Sequence, residues 1–232
     1  MSKISENLKV INDRIAEAAA RGGRRREDVR LVCVSKTVGP EEVREAYAAG
    51  QRDFAENRVQ KLVEKQEALR DLADISWHLI GQLQTNKIKY CADKVAMIHS
   101  LDRAALATAL DRFAAKKGIT VDCLLEVNIS GEESKTGLPL GEVDAFMEEF
   151  ARTGNIRLRG VMTMAPEGAP EGAPEGVLRS VFAGAAELAE KIRRMNVPNA
   201  PMGELSMGMS GDYEIAVEEG ATLVRIGTAC FR

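Results

Sequence analysis

The feature that most constrains this chain is an alternation repeated eight times. Short apolar runs occupy residues 30–36 (RLVCVSK), 52–56 (RDFAE), 75–80 (ISWHLI) and 95–99 (VAMIH). Four more follow at 121–128 (VDCLLEVN), 156–163 (IRLRGVMT), 203–206 (GELS) and 223–227 (LVRIG). Between them lie longer, charged, amphipathic stretches near 40–49, 57–70, 84–92, 102–117, 139–152, 176–195 and 210–219. Glycine, proline, serine or aspartate often marks the joins, as in "GP" at 39–40 and "PLGE" at 139–142. Strict β–α alternation means parallel strands joined by right-handed crossovers. Eight such units close into a (β/α)8 barrel, an α/β fold usually of about 250 residues. At 232 residues this chain suits one compact barrel domain spanning 1–232. A doubly wound open sheet is the rival, but "VSKTVGPEE" after the first strand is not the glycine-rich turn that sheet normally carries. Ahead of the first strand, Ile4, Leu8, Ile11, Ile15 and Ala18 recur at spacings of three and four, which predicts an extra N-terminal helix within 1–21.

A barrel gives the strand ends a meaning, because active sites of this fold lie at the C-terminal ends of the strands. "LVCVSKT" sets a lysine, Lys36, at such an end. An ammonium at the mouth with its stem against apolar neighbours is disfavoured as a cation, and the neutral amine attacks carbonyls. The alternative is a lysine that simply reaches out to solvent from a strand end. Other strand ends are also polar. Asn57 follows the second strand in "FAENRVQ", and "WHLIGQLQTNK" carries the single tryptophan and one of two histidines, His78. Ser100 and Asp102 in "HSLDR" read as caps of the next helix. His78 and His99 sit inside apolar runs and read as core or stacking residues.

The C-terminal stretch "GELSMGMSGDYEIAVEEGATLVRIGT", 203–228, carries most information. Ser206, Met207, Gly208, Met209 and Ser210 form a small-residue link, with a helix beginning near Ser210; Gly227 and Thr228 close the last strand. Small residues there let backbone N–H groups approach an anion, and many barrels of this class hold phosphate after strands seven and eight. Arg225 lies within the last strand and faces either the interior or the helix layer, as an ion-pair partner or as a cation beneath a ligand ring.

Composition narrows the classes. The net charge is −3, so a nucleic-acid partner is not expected, and the run "RGGRRRE" at 21–27 reads as a solvated turn. Charges interrupt every apolar stretch of the N-terminus, and nothing approaches 18 consecutive apolar residues, so neither a signal peptide nor a membrane span is expected. Cys33, Cys91, Cys123 and Cys230 are far apart, without metal spacing, and read as small buried residues in a reducing cytoplasm; no metal is expected. "APEGAPEGAPEG", 165–176, is a triple repeat that reads as a surface loop, with a lid over the mouth as the second reading.

Taken together, "VSKT", "FAENRVQ", "WHLIGQLQTNK", "HSLDR", "VNISGEESKTG", "LRGVMTM", "LSMGMSGDYEIAVEEGAT" and "VRIGTACF" resemble the pyridoxal phosphate homeostasis protein family, in order and over nearly the whole chain. That family looks like the barrel half of alanine racemase. The resemblance implies pyridoxal 5′-phosphate held as a Schiff base on Lys36. It implies the phosphate among Ser206, Met207, Ser210, Gly227 and Thr228, Arg225 facing the ring nitrogen, and Asn57 and His78 near the cofactor. It implies a vitamer carrier rather than an enzyme, acting as a monomer or weak dimer, with pyridoxal-phosphate-dependent apo-enzymes as recipients. Ala55, where members often carry glycine, and the "APEG" triplet depart from the pattern. The alternative is a racemase, which needs a second acid/base worth about 10²–10⁴-fold. Tyr47, Tyr90 and Tyr213, the three tyrosines, all fall in helix-like stretches. Without the resemblance, a barrel enzyme binding a phosphorylated sugar through Lys36 is a third reading.

Overall fold

The structure is a computed structural model that describes residues 2–132, 135–166 and 173–232. Helix α1 (Lys3–Arg21) comes first, then strand β1 (Arg30–Val34) and α2 (Pro40–Ala48). The alternation continues through β2 (Asp53–Glu56), α3 (Val59–Ala68), β3 (Ser76–Leu79), α4 (Ile88–Cys91), β4 (Met97–Leu101) and α5 (Ala104–Lys117). Strand β5 (Val121–Asn128) is followed by a two-residue β6 (Leu138–Pro139), α6 (Val143–Phe150), β7 (Ile156–Met162) and α7 (Glu175–Arg194). The chain ends in β8 (Glu204–Ser206), α8 (Tyr213–Glu218), β9 (Leu223–Ile226) and α9 (Thr228–Phe231).

Strands β1–β5 and β7–β9 pair in parallel around a closed ring, with β1 joined to β9 and β4 to β5, while β6 adds two residues beside β5. This is the (β/α)8 barrel that the eight apolar runs predict. Alternation along each strand divides the apolar residues into two sets. Val32, Val34, Ala55, Met97, Leu124, Met162 and Leu223 form a small inner cluster. Their neighbours Leu31, Cys33, Phe54, Trp77, Leu79, Ile98 and Ile226 pack outward against the helices in a much larger cluster. Ile4, Leu8, Ile11, Ile15 and Ala18, the predicted stripe of α1, are all buried in that outer cluster.

Several local expectations are corrected. "PLGE" opens not a helix but the short strand β6 and a 3-10 turn (Leu140–Glu142), so α6 starts at Val143. The last repeat does not stay out of helix: Pro174 takes the N-cap position of α7 and Glu175 and Gly176 are helical, as a proline just before the first turn allows. Residues 167–172 of the repeat, on which the loop and lid readings rest, lie outside the described residues. Neither Ser100 nor Asp102 caps α5; the Ser100 hydroxyl donates to the Gly81 carbonyl at 2.7 Å and Asp102 pairs with Arg103. "RGGRRRE" is only partly a solvated turn. Arg24 donates to the carbonyls of Val217 and Ala221, and Arg26 to that of Val29, which ties α1 to the bottom of the barrel.

Candidate functional site

Among the described cavities, one of about 260 Å³ opens where the strand ends converge. That volume sits near the lower end for small-molecule sites. Lys36, Thr37 and Asn57 line one side; Ser210, Gly227 and Thr228 line another. Val34, Ile80, Met162, Met164 and Met209 supply apolar walls, and Arg225 is also at the surface of the cavity.

Each wall has a local cause. β1 ends at Val34, and the chain turns over Ser35–Lys36–Thr37 before α2 begins. Lys36 is thereby exposed at the rim. Beneath it lies a buried knot. The Lys65 ammonium of α3 donates to the Ser35 carbonyl at 2.5 Å and pairs with Glu56, whose Oε1 also accepts the Ser35 hydroxyl at 2.8 Å. Lys65 is 5% exposed and Glu56 0%. The knot fixes the peptide that aims Lys36 and, through Glu56, the strand end that presents Asn57. Gly81 has to be glycine because a Cβ there would stand 2.0 Å from the Asn57 carbonyl oxygen.

The opposite wall is made of turns. Gly208 has φ of +90°, and a Cβ on it would meet Ala216 Cβ at 2.7 Å. That fold brings Met209 and Ser210 over the mouth. α8 starts at Tyr213 rather than near Ser210, with Asp212 at its N-cap position. Asp212 turns its carboxylate back to accept the Met209 N–H at 2.5 Å. Burial holds that carboxyl above the usual carboxylate range, while Arg225 pulls the other way. A helix of six residues lends little dipole, so an anion here would rest on Ser210, Thr228 and the backbone of the glycine turns.

Arg225 points into the barrel, 4% exposed. It forms no salt bridge among the described residues. Its Nη1 donates to Ser206 Oγ at 2.7 Å and its Nη2 to the Thr163 carbonyl at 3.0 Å. Burial lowers its pKa to about 10, against the pull of Asp212 and Glu126. It remains a cation at neutral pH.

Of the nine residues named from the sequence, six line this cavity: Lys36, Asn57, Ser210, Arg225, Gly227 and Thr228. His78, Ser206 and Met207 do not. Met207 is buried and its N–H is already donated to the Leu223 carbonyl. Ser206 lies one layer down, against Arg225 and His99. His78 is deeper still, between His99 and Asp53. Sequence reading missed the apolar walls, although Val34, Ile80, Met162 and Met164 lie in or beside the quoted motifs. It also missed Lys65, for which a signal existed: a lysine three after Leu62 and four before Leu69 sits on the buried face of α3.

The arrangement offers an amine, a fixed cation and small polar turns around one apolar slot. That set fits a flat, anionic carbonyl compound: the amine for the carbonyl, the turns for the anion, the methionines for the ring faces. All four cysteines are buried and free, and the Cys33 and Cys230 sulfurs lie 3.3 Å apart between β1 and α9. No helix among the described residues is long and apolar enough to cross a membrane.

Comparison with known proteins adds independent findings. The family model "Alanine racemase, N-terminal domain" matches residues 3–232. The pyridoxal phosphate homeostasis protein of Aquifex aeolicus is 44% identical over 97% of this chain and 96% of its own length. PipY of Synechococcus elongatus, solved with PLP bound, superposes with a TM-score of 0.86 at 36% identity, covering 99% of this chain and 100% of PipY. The alanine racemase of Corynebacterium glutamicum shares the fold, with a TM-score of 0.69 at 13% identity over 96% of this chain and 60% of its own.

Proposed function

This chain belongs to the pyridoxal phosphate homeostasis protein family, and from that premise we propose that it holds pyridoxal 5′-phosphate as a Schiff base on Lys36 and buffers or delivers it. One observation carries the reading. A single cavity is lined at once by a free-standing lysine, a buried arginine and the turn residues Ser210, Gly227 and Thr228. The bound cofactor supplies an aldehyde for the amine, a phosphate for the turns and a ring nitrogen for Arg225. A permanent cation facing that nitrogen keeps it unprotonated and weakens the ring as an electron sink. Recipients of the vitamer are apo-enzymes that require it.

The racemase reading lacks a part. Tyr47, Tyr90 and Tyr213 all lie on helices and none lines the cavity. Tyr47 is bound to Asp74, Tyr90 is exposed on α4, and Tyr213 is buried in the outer core. No second acid/base faces the one lysine within the described residues. Incubating the loaded protein with D- or L-alanine in deuterated buffer should leave the α-carbon unlabelled; steady deuterium uptake overturns the carrier reading in favour of turnover.

The binding claim is tested by reduction. Protein charged with the cofactor should be yellow, and borohydride should fix the cofactor's mass on the peptide containing Lys36. Lys36→Ala should lose that adduct completely. A protein that cannot be charged at all, or an adduct that persists in Lys36→Ala, defeats the assignment.

A further inference from the structure

Five polar residues of the barrel interior form an unbroken line from its floor to the candidate site. Asp53 begins β2 and opens onto a second cavity at the N-terminal face, beside Gln51 and Arg52. Its Oδ1 is 3.1 Å from His78 Nε2. His78 Nδ1 is 2.9 Å from His99 Nε2, and His99 Nδ1 is 2.9 Å from Ser206 Oγ. Ser206 Oγ then receives Arg225 Nη1 at 2.7 Å. Four strands, β2, β3, β4 and β8, thus reach the guanidinium on β9.

We propose that Asp53, His78 and His99 are positioning residues for Arg225, fixing the direction of the Ser206 hydroxyl so that its lone pairs receive the guanidinium. The two ends of the line set its direction. A carboxylate only accepts, so His78 carries its proton on Nε2. A guanidinium only donates, so Ser206 accepts from it. In a neutral His78, Nδ1 must then accept, which puts the proton of His99 on Nε2. Burial, with the Arg225 guanidinium nearby, holds His99 well below the ordinary histidine range and therefore neutral. Its Nδ1 is left as an acceptor and takes the Ser206 O–H. Every donor points the same way, from Arg225 down to Asp53. The reverse tautomer at His99 would turn an N–H toward Ser206 and release the hydroxyl proton from its place, setting His99 in competition with Arg225 for the lone pairs that receive the one side-chain hydrogen bond Arg225 makes among the described residues. An aspartate that fixes the tautomer of a histidine from behind acts in the same sense in hydrolytic triads.

Stability does not account for the line. Other inward positions at similar depth, Val32, Met97 and Leu124, are apolar and fully covered, and buried polar networks are often replaceable by well-packed apolar side chains at no cost. What the line adds is orientation of the cation that lines the cavity.

The chain has only two histidines, so ¹⁵N-histidine labelling yields four ring-nitrogen signals, which makes the test direct. In the apo-protein near pH 7, both rings should carry their proton on Nε2 and not on Nδ1. A proton on Nδ1 of either ring overturns the proposal without any variant. Asp53→Asn should shift the His78 and His99 nitrogens. Charged with pyridoxal phosphate, this variant should still give the borohydride adduct on Lys36, but with the absorption band of the bound cofactor displaced from wild type. Unchanged nitrogens and an unchanged band in Asp53→Asn defeat the idea. The second readout rests on the binding reading above; the first does not, so failure of one is distinguishable from failure of the other.

Discussion

Lys36 follows Ser35 in the chain and Lys65 bonds to the Ser35 carbonyl, and the two lysines do opposite things. Lys36 stands exposed at the rim and makes no hydrogen bond or ion pair among the described residues. Lys65 arrives from α3, is buried, and spends its donors on the Ser35 carbonyl and the Glu56 carboxylate. A lysine without a partner is available to react; one buried and paired is a fastener. The difference lies in what surrounds each amine, since the side chains are identical. It also shows a division of labour, because the buried pair holds the peptide from which the exposed amine projects.

The comparison breaks most visibly at Lys65. Lys65→Met should destabilise the apo-protein by about 3–5 kcal/mol, because the cation is removed and Glu56 stays behind as a buried charge. A denaturant titration with an unchanged slope gives the measurement. The double variant Lys65→Met/Glu56→Leu should recover a large part of that loss, since two apolar groups leave no orphan. If the single variant unfolds at the wild-type midpoint, the pair is not what secures the Ser35 turn.

Glu56→Gln is milder and more informative. Oε1 takes both the Lys65 ammonium and the Ser35 hydroxyl, whereas Oε2 is buried without a partner among the described residues. Glutamine keeps the first oxygen, loses the charge and sets an NH2 where Oε2 has no partner. The expected cost is about 1–3 kcal/mol, that of a charge-assisted hydrogen bond reduced to a neutral one. A loss as large as that of Lys65→Met would mean that the two partners contribute through charge alone.

How far the sequence reaches can be judged from these same residues. The eight barrel strands were legible because strands covered on both faces read as near-continuous apolar runs. β8, with three residues, is the weakest of them, read from GELS at 203–206. β6 was not legible, since two residues carry no period. At the site, the motifs found which strand ends matter but not how deep each side chain lies. The resemblance sets Ser206 and His78 near the cofactor; in the fold both sit beneath the cavity, because depth follows from strand register and from the inward or outward sense of each position. The pairing of Ala55 with His78, and of His78 with Met97, is what lines up Asp53, His78 and His99, and no local pattern encodes it. The Lys65–Glu56 pair is legible only in hindsight, from a charge on the apolar face of α3.

The smallest predicted effect is the sharpest contrast. Lys36→Ala should change the stability of the apo-protein by no more than about 0.5 kcal/mol, as for other exposed side chains without partners. The same substitution should remove the borohydride adduct entirely. Stability and trapping are thus expected to separate: Lys65→Met lowers the first strongly and the second only through the position of the Ser35 turn, while Lys36→Ala abolishes the second and spares the first. Measuring both quantities on both variants gives four numbers, and the assignment of roles requires this crossed pattern. Should Lys36→Ala cost as much stability as Lys65→Met, the rim lysine is a structural element after all, and the free amine on which the binding reading depends does not exist.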